Sequence, residues 1–244
     1  LEVTTPDGVA VLAADRVVVC AGAILTPLVL LRSGVGRSED LDRLGIDTVA
    51  VNENVNRRLL DHPGCAIFFW PKRGVMTTAD PLIQTVCRFS SETSGVPHDL
   101  LIQPGSKFAA PGRNIRGCSI IAAVGKPRGV GRLRFRTAEG DGRPVIASQL
   151  LEDPVDRQSA VRLMALAAEL AAHPAMRELA SHFWPRPRSL RSEQRIARWI
   201  RRATDSGYHP CGTVPMGTDD DPSAATDPHG RVRGVDGLYV GDAS

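Results

Sequence analysis

Arg16-Val17-Val18-Val19-Cys20-Ala21-Gly22-Ala23-Ile24-Leu25-Thr26-Pro27-Leu28-Val29-Leu30-Leu31-Arg32-Ser33-Gly34 decides the reading of this chain. Its β-branched run is of the kind buried on both faces of a parallel sheet. Ala21-Gly22-Ala23 ends the run with three small residues, so that a ligand can lie against the backbone. A short helix is then expected, with Thr26 as N-cap, Pro27 at the first helical position and Gly34 as the stop. Strand, small-residue turn and helix in this order are typical of a nucleotide-binding α/β sheet.

Working outward, residues before this run read as two short strands around Pro6-Asp7-Gly8. Beyond it, Ile46 to Val51 and Cys65 to Trp70 read as strands. The Pro-, Gly- and Ser-rich stretch from Thr77 to Arg116 reads as loops and short elements lining a pocket. Strands return at Cys118 to Val124, Arg132 to Arg136 and Val145 to Leu150. The clean alternation of Arg132-Leu133-Arg134-Phe135-Arg136 suits an antiparallel sheet with one wet face. A helix is expected from Asp153-Pro154 to Ala172, ended by Pro174, with Val161, Met164, Ala165 and Ala168 on one side. A second, Ser192 to Ala203, places Ile196, Trp199, Ile200 and Ala203 toward a core.

Of 244 residues, 42% are apolar and 23% charged, an ordinary globular composition. A net charge of +3 with only 5% aromatic residues gives no footprint for nucleic acid. The locally basic run from Arg186 to Arg202 reads as a solvated helix face, with an anion or membrane-surface contact as the alternative, so membrane association stays open. The five cysteines (Cys20, Cys65, Cys87, Cys118, Cys211) form no CxxC pair, and four sit in apolar runs as small hydrophobes. That usage fits a reducing compartment and a cytoplasmic protein. No signal peptide and no apolar run of membrane-spanning length are present.

One further stretch carries chemistry: Tyr208-His209-Pro210-Cys211-Gly212-Thr213-Val214-Pro215-Met216-Gly217. Pro210 biases His209 toward extended geometry, and Gly212 permits a close approach. A histidine held this way titrates near neutrality and suits proton transfer, although a structural role has the same appearance locally. His209 and Cys211 have no further ligands at zinc-site spacing, so no metal site is expected.

Gly22 to Gly36 closely resembles the second signature of the glucose-methanol-choline (GMC) flavoprotein oxidoreductases. Further matches follow in that family's order. Leu59-Leu60-Asp61-His62-Pro63 resembles its Leu-x-Asp-His-Pro step, and Tyr208 to Gly217 resembles the segment of its active-site histidine. Asp227 to Ser244, ending Gly241-Asp242-Ala243-Ser244, is similar to its return to the flavin. The resemblance implies α/β plus α+β architecture: part of an FAD-binding Rossmann-like domain (residues 1–62 and 205–244) interrupted by a substrate domain (63–204) with an antiparallel sheet and helices. It implies an alcohol as small-molecule substrate, hydride transfer to flavin N5, and His209 as proton acceptor. Oxygen, a quinone or a redox carrier would take the electrons onward. Ala21, Gly22 and Ala23 would line the dinucleotide path. In Gly241-Asp242-Ala243, the carboxylate would accept from flavin-side hydroxyls and the following N–H groups would meet pyrophosphate. His62 would serve structurally, joining the domains through hydrogen bonds.

The chain departs from the family at Asn56-Arg57-Arg58, where a Gly and an Asn are usual, and at Gly129-Val130-Gly131-Arg132. No Gly-x-Gly-x-x-Gly is present, since Gly34-Val35-Gly36 is followed by Glu39. The expectation is therefore a C-terminal fragment of a GMC oxidoreductase that binds FAD weakly alone. Two alternatives stand beside it: a catalytically inactive remnant acting as a binding module, and a hydrolase using Cys211 and His209. The second is poor, because no nucleophile elbow exists.

Overall fold

The computed structural model describes residues 1–77, 79, 81–106, 117–138 and 143–244. They divide into two compact units, one of Leu1–Leu60, Val130–Ser148 and Pro210–Ser244, the other of Asp61–Gly129 and Gln149–His209. Among the described residues no helix is long and apolar enough to cross a membrane.

In the first unit, Glu2–Thr5 and Gly8–Val11 form the expected antiparallel hairpin. Val17–Val19 pairs in parallel with Leu238–Val240, from more than 200 positions away. Burial on both faces is found for one face only. Val19 is buried, but Val18 is 60% exposed, because no described layer covers its side of this two-stranded sheet.

The helix runs Gly22–Arg32, so Thr26 and Pro27 lie inside it rather than at its start. Proline cannot donate to the carbonyl four residues back, which leaves the Ala23 oxygen short of a partner. The buried Thr213 hydroxyl donates to that oxygen at 2.7 Å, so the helix continues unbroken through Pro27. Leu28 and Leu31 then pack with Leu41, Leu59, Leu133 and Phe135, while Leu30 joins Val19, Val35, Val55 and Val214. Gly34 ends the helix as expected, at φ +75°, and a Cβ there would lie 2.5 Å from the Asp47 oxygen. Three expected strands are shorter: Ala50–Val51 (parallel to Val35–Gly36), Arg132–Arg134 and Val145–Ala147, the last two antiparallel partners.

The second unit is built on a six-stranded antiparallel sheet. Its order is Ala180–Trp184, Pro63–Pro71, Cys118–Val124, Leu100–Gly105 and Cys87–Phe89, with Asp205–Ser206 also on Pro63–Gly64. Leu100–Gly105 falls in the stretch expected, from its Pro, Gly and Ser content, to form loops and short elements. Cys87–Phe89 pairs only with Leu100–Ile102, so Pro104 stands at an edge, where a missing donor is tolerated. Residues 107–116 of that stretch lie outside the described residues.

The helices Pro154–Ala172 and Glu193–Ala203 lie where the sequence placed them, the first capped by the Asp153 carboxylate on the Val155 and Asp156 N–H groups. Val161, Met164, Ala168, Ile196 and Ile200 pack on Cys65, Ile67 and Phe69 from one sheet face. Strand periodicity sends the alternate residues to the other face. Cys65 and Cys118 are buried as expected, whereas Cys20 and Cys87, at strand ends, are exposed.

Candidate functional site

In the second unit, one carboxylate organises two histidines. Asp61 Oδ1 accepts the His62 N–H at 2.7 Å and the His209 N–H at 3.1 Å. Its Oδ2 accepts the Ser206 hydroxyl, which in turn accepts the Tyr208 N–H at 2.9 Å. Asp61 is buried, so these bonds act without competition from water. Tyr208 adopts a left-handed φ of 61°, and a Cβ on Gly207 would lie 2.9 Å from His62. The two imidazoles therefore meet, with ring centroids 5.3 Å apart and planes at 53°. Burial is the main reason the His62 pKa falls below the ordinary imidazole value. His209 and Arg88 push the same way, and the Asp61 carboxylate opposes them. His62 is therefore held neutral beside His209.

Both rings line a cavity of about 680 Å³, bordered by Gly64, Ala66 and Phe68 of the sheet and by Trp199, Arg202 and Ala203 of the Glu193–Ala203 helix. Leu82, Ile83, Leu101 and Gln103, from the stretch expected to line a pocket, contribute to its wall. Cys65 also borders it, with its thiol pushed up to about 11 by burial.

In the first unit, a second carboxylate organises the turn before the Gly22–Arg32 helix. Asp242 Oδ2 accepts the Gly22 N–H at 2.8 Å and the Thr26 hydroxyl at 2.5 Å, and Oδ1 accepts the Ser244 N–H at 2.7 Å. Burial alone would raise the Asp242 pKa. The Thr26, Ser244 and Gly22 donors outweigh it and hold the carboxyl below its usual range. The Thr26 hydroxyl also accepts the Ala21 N–H at 3.1 Å. Gly22 sits at φ +79° with open space where a Cβ would be. Gly241 packs tightly instead: a Cβ there would meet Val18 at 3.1 Å and Cys20 at 3.3 Å.

Two family models, each described as GMC oxidoreductase, match residues 2–64 and 127–244. The chain belongs to the GMC oxidoreductase family. It is 29% identical to choline oxidase of Arthrobacter globiformis, over 95% of this chain and 44% of that protein. It is 31% identical to 5-(hydroxymethyl)furfural oxidase of Methylovorus sp. strain MP688, over 95% of this chain and 46% of the relative. The crystal structure of a pyridoxine 4-oxidase superposes with a TM-score of 0.84 at 25% identity, over all of this chain and 49% of that one. The chain thus spans about half the length of the curated relatives it matches.

FAD is the cofactor of this family, and the first unit's turn can be tested against it. The Ala21 and Gly22 N–H groups are already taken by Thr26 and Asp242. A carboxylate at the helix start also repels phosphate while inviting hydroxyl donors. The turn therefore fits a hydroxyl-bearing part of the cofactor, with the open backbone at Gly22 allowing close approach. The Ser244 N–H is spent on Asp242. Gly241 packs tightly against Val18 and Cys20, and Ala23 is buried with its carbonyl bonded to Thr213.

The sequence singles out His209 and Asp242 but gives no role to Asp61, Ser206 or Thr213. In the sequence, Asp61 stands out only as part of the Leu59-Leu60-Asp61-His62-Pro63 motif. Its position directly before a histidine was the available signal, but its other partners lie some 145 positions away. His62, read as a joint between domains, turns its ring toward His209.

Proposed function

We propose that this chain carries the proton-accepting and substrate-enclosing part of an FAD-dependent oxidoreductase acting on CH–OH groups. The observation that carries the reading is the His62–His209 pair, fixed through Asp61 at the wall of a substrate-sized cavity. When bound, FAD supplies the hydride acceptor at N5. The alcohol's O–H proton passes to His209, its C–H bond breaks with the electron pair leaving as hydride, and the carbonyl forms. An imidazole suits this task because its ordinary pKa, about 6.5, lies near working pH. Neutral His62 leaves the new positive charge of His209 unopposed and offers a ring nitrogen to orient the substrate hydroxyl. In the first unit, Asp242 would accept a cofactor hydroxyl. The scattered spacing of the five cysteines, with no CxxC pair, supports a reducing compartment.

The test uses the protein encoded by the whole reading frame that contains these residues. In His209→Ala, we expect kcat with a responsive alcohol to fall about 10²–10⁴-fold with flavin content unchanged. Unaltered turnover would sink the proton-transfer role. The 244-residue chain alone, run in parallel, should shed FAD on gel filtration and turn nothing over, because Val18 and its neighbours lack a covering layer.

A further inference from the structure

The cavity beside the histidines has a one-sided chemistry. Its floor is one face of the sheet. Gly64, Ala66 and Phe68 come from one strand, Ile121 and Ala123 from the next, and Leu101 and Gln103 from the third. Among the described residues that floor holds no carboxylate. Asp205 at the border accepts the Ser206 N–H at 2.8 Å, and Arg202 brings positive charge. A cationic group lying on that floor would lose its hydration with no carboxylate beneath it, Asp205 standing only at the border beside Arg202. Open aromatic faces could substitute, and the exposed Tyr208 offers one at the border, but the three rings on the floor side pack on one another. Phe68 stacks on Trp184 with centroids 5.9 Å apart, and Trp184 meets Trp199 edge-on at 4.9 Å. A polyol would find few hydrogen-bond partners, chiefly Gln103 and Ser119. Leu82, Ile83 and Trp184 are about half exposed at the border, an apolar surface wanting cover.

Resting on the oxidoreductase reading above, we infer that the substrate is an uncharged alcohol bearing an aromatic or branched apolar group. That group lies on the floor while the hydroxyl meets the histidines. Space for it near the rings is kept by the absent side chain of Gly64. A Cβ there would meet Ala123 at 3.5 Å and Ile121 at 3.8 Å, ordinary contacts, so Gly64→Ala is tolerated. A leucine at that position would extend into the cavity.

The experiment uses the whole-reading-frame protein with benzyl alcohol, cyclohexylmethanol, choline and glycerol. Each is followed by oxidation and by tryptophan emission, since Trp184 and Trp199 border the cavity. We expect kcat/KM for the two ring-bearing alcohols to exceed that for choline and glycerol at least about tenfold, with emission shifts in the same order. Gly64→Leu should remove that preference, while Gly64→Ala keeps it. Oxidation that favours choline or glycerol overturns the substrate class and leaves the redox reading intact. Emission shifts in the expected order without any oxidation support the binding class and overturn the redox reading. Neither oxidation nor an emission shift with the ring-bearing alcohols overturns both.

Discussion

Asp61 and Asp242 hold the same kinds of donor in different units. Each accepts two backbone N–H groups and one hydroxyl: His62, His209 and Ser206 for the first, Gly22, Ser244 and Thr26 for the second. They differ in burial, since Asp61 is buried and Asp242 is partly open. A carboxylate shut inside the protein can only position its neighbours. One that keeps an outward edge can both position a turn and receive a ligand. The same local device therefore serves an organiser in one unit and a candidate cofactor contact in the other.

The most severe way to break this comparison is Asp61→Ala. Two part-buried N–H groups and a hydroxyl would lose the buried carboxylate that accepts from them, which should cost about 2–4 kcal/mol in a denaturant melt. Displaced histidines should also lower kcat about 10²-fold. Asp61→Asn keeps an acceptor oxygen for both N–H groups and should recover most of each loss. If Asn is as damaging as Ala, charge rather than hydrogen bonding is what matters at Asp61.

Asp242→Ala should be milder, roughly 1–2 kcal/mol, because Asp242 is itself only partly buried and water can take the place of its carboxylate. Flavin retention should suffer more than stability, and a variant with unchanged flavin affinity would remove Asp242 from the cofactor site. The pH dependence has a definite sign. The folded carboxyl titrates below its unfolded value of about 3.9, so its stabilisation is complete above that value and disappears as pH falls through the lower folded one.

The contrast also explains what the sequence could reveal. The helices Pro154–Ala172 and Glu193–Ala203 were legible because caps, proline and apolar spacing are local signals. His209 was legible through its restrictive neighbours and its resemblance to a family segment. Thr26-Pro27 misled because it imitates a helix start. The true start at Gly22 depends on Asp242, and the unbroken passage through Pro27 depends on Thr213, both about 190 or more positions away. Asp61 was hidden for the same reason. Long-range acceptors leave no periodicity, and they decide where both sites are fixed.

The smallest expected effect separates the two histidines that Asp61 holds together. Burial depresses the His62 pKa, while the unfolded chain binds a proton near pH 6.5. Its contribution to stability is thus complete above about pH 6.5 and is lost as pH falls through the depressed folded value. Tm measured from pH 8 to 5 should decline below that point, and His62→Gln should flatten the decline without changing the helix content. The same variant sharpens the division of labour in catalysis. If His62 only orients the hydroxyl, its loss should raise KM or lower kcat modestly while leaving the acid limb of kcat/KM in place. Loss of that limb in His62→Gln, with its retention in His209→Gln, would exchange the two roles, because the limb belongs to whichever imidazole must be free to take the proton.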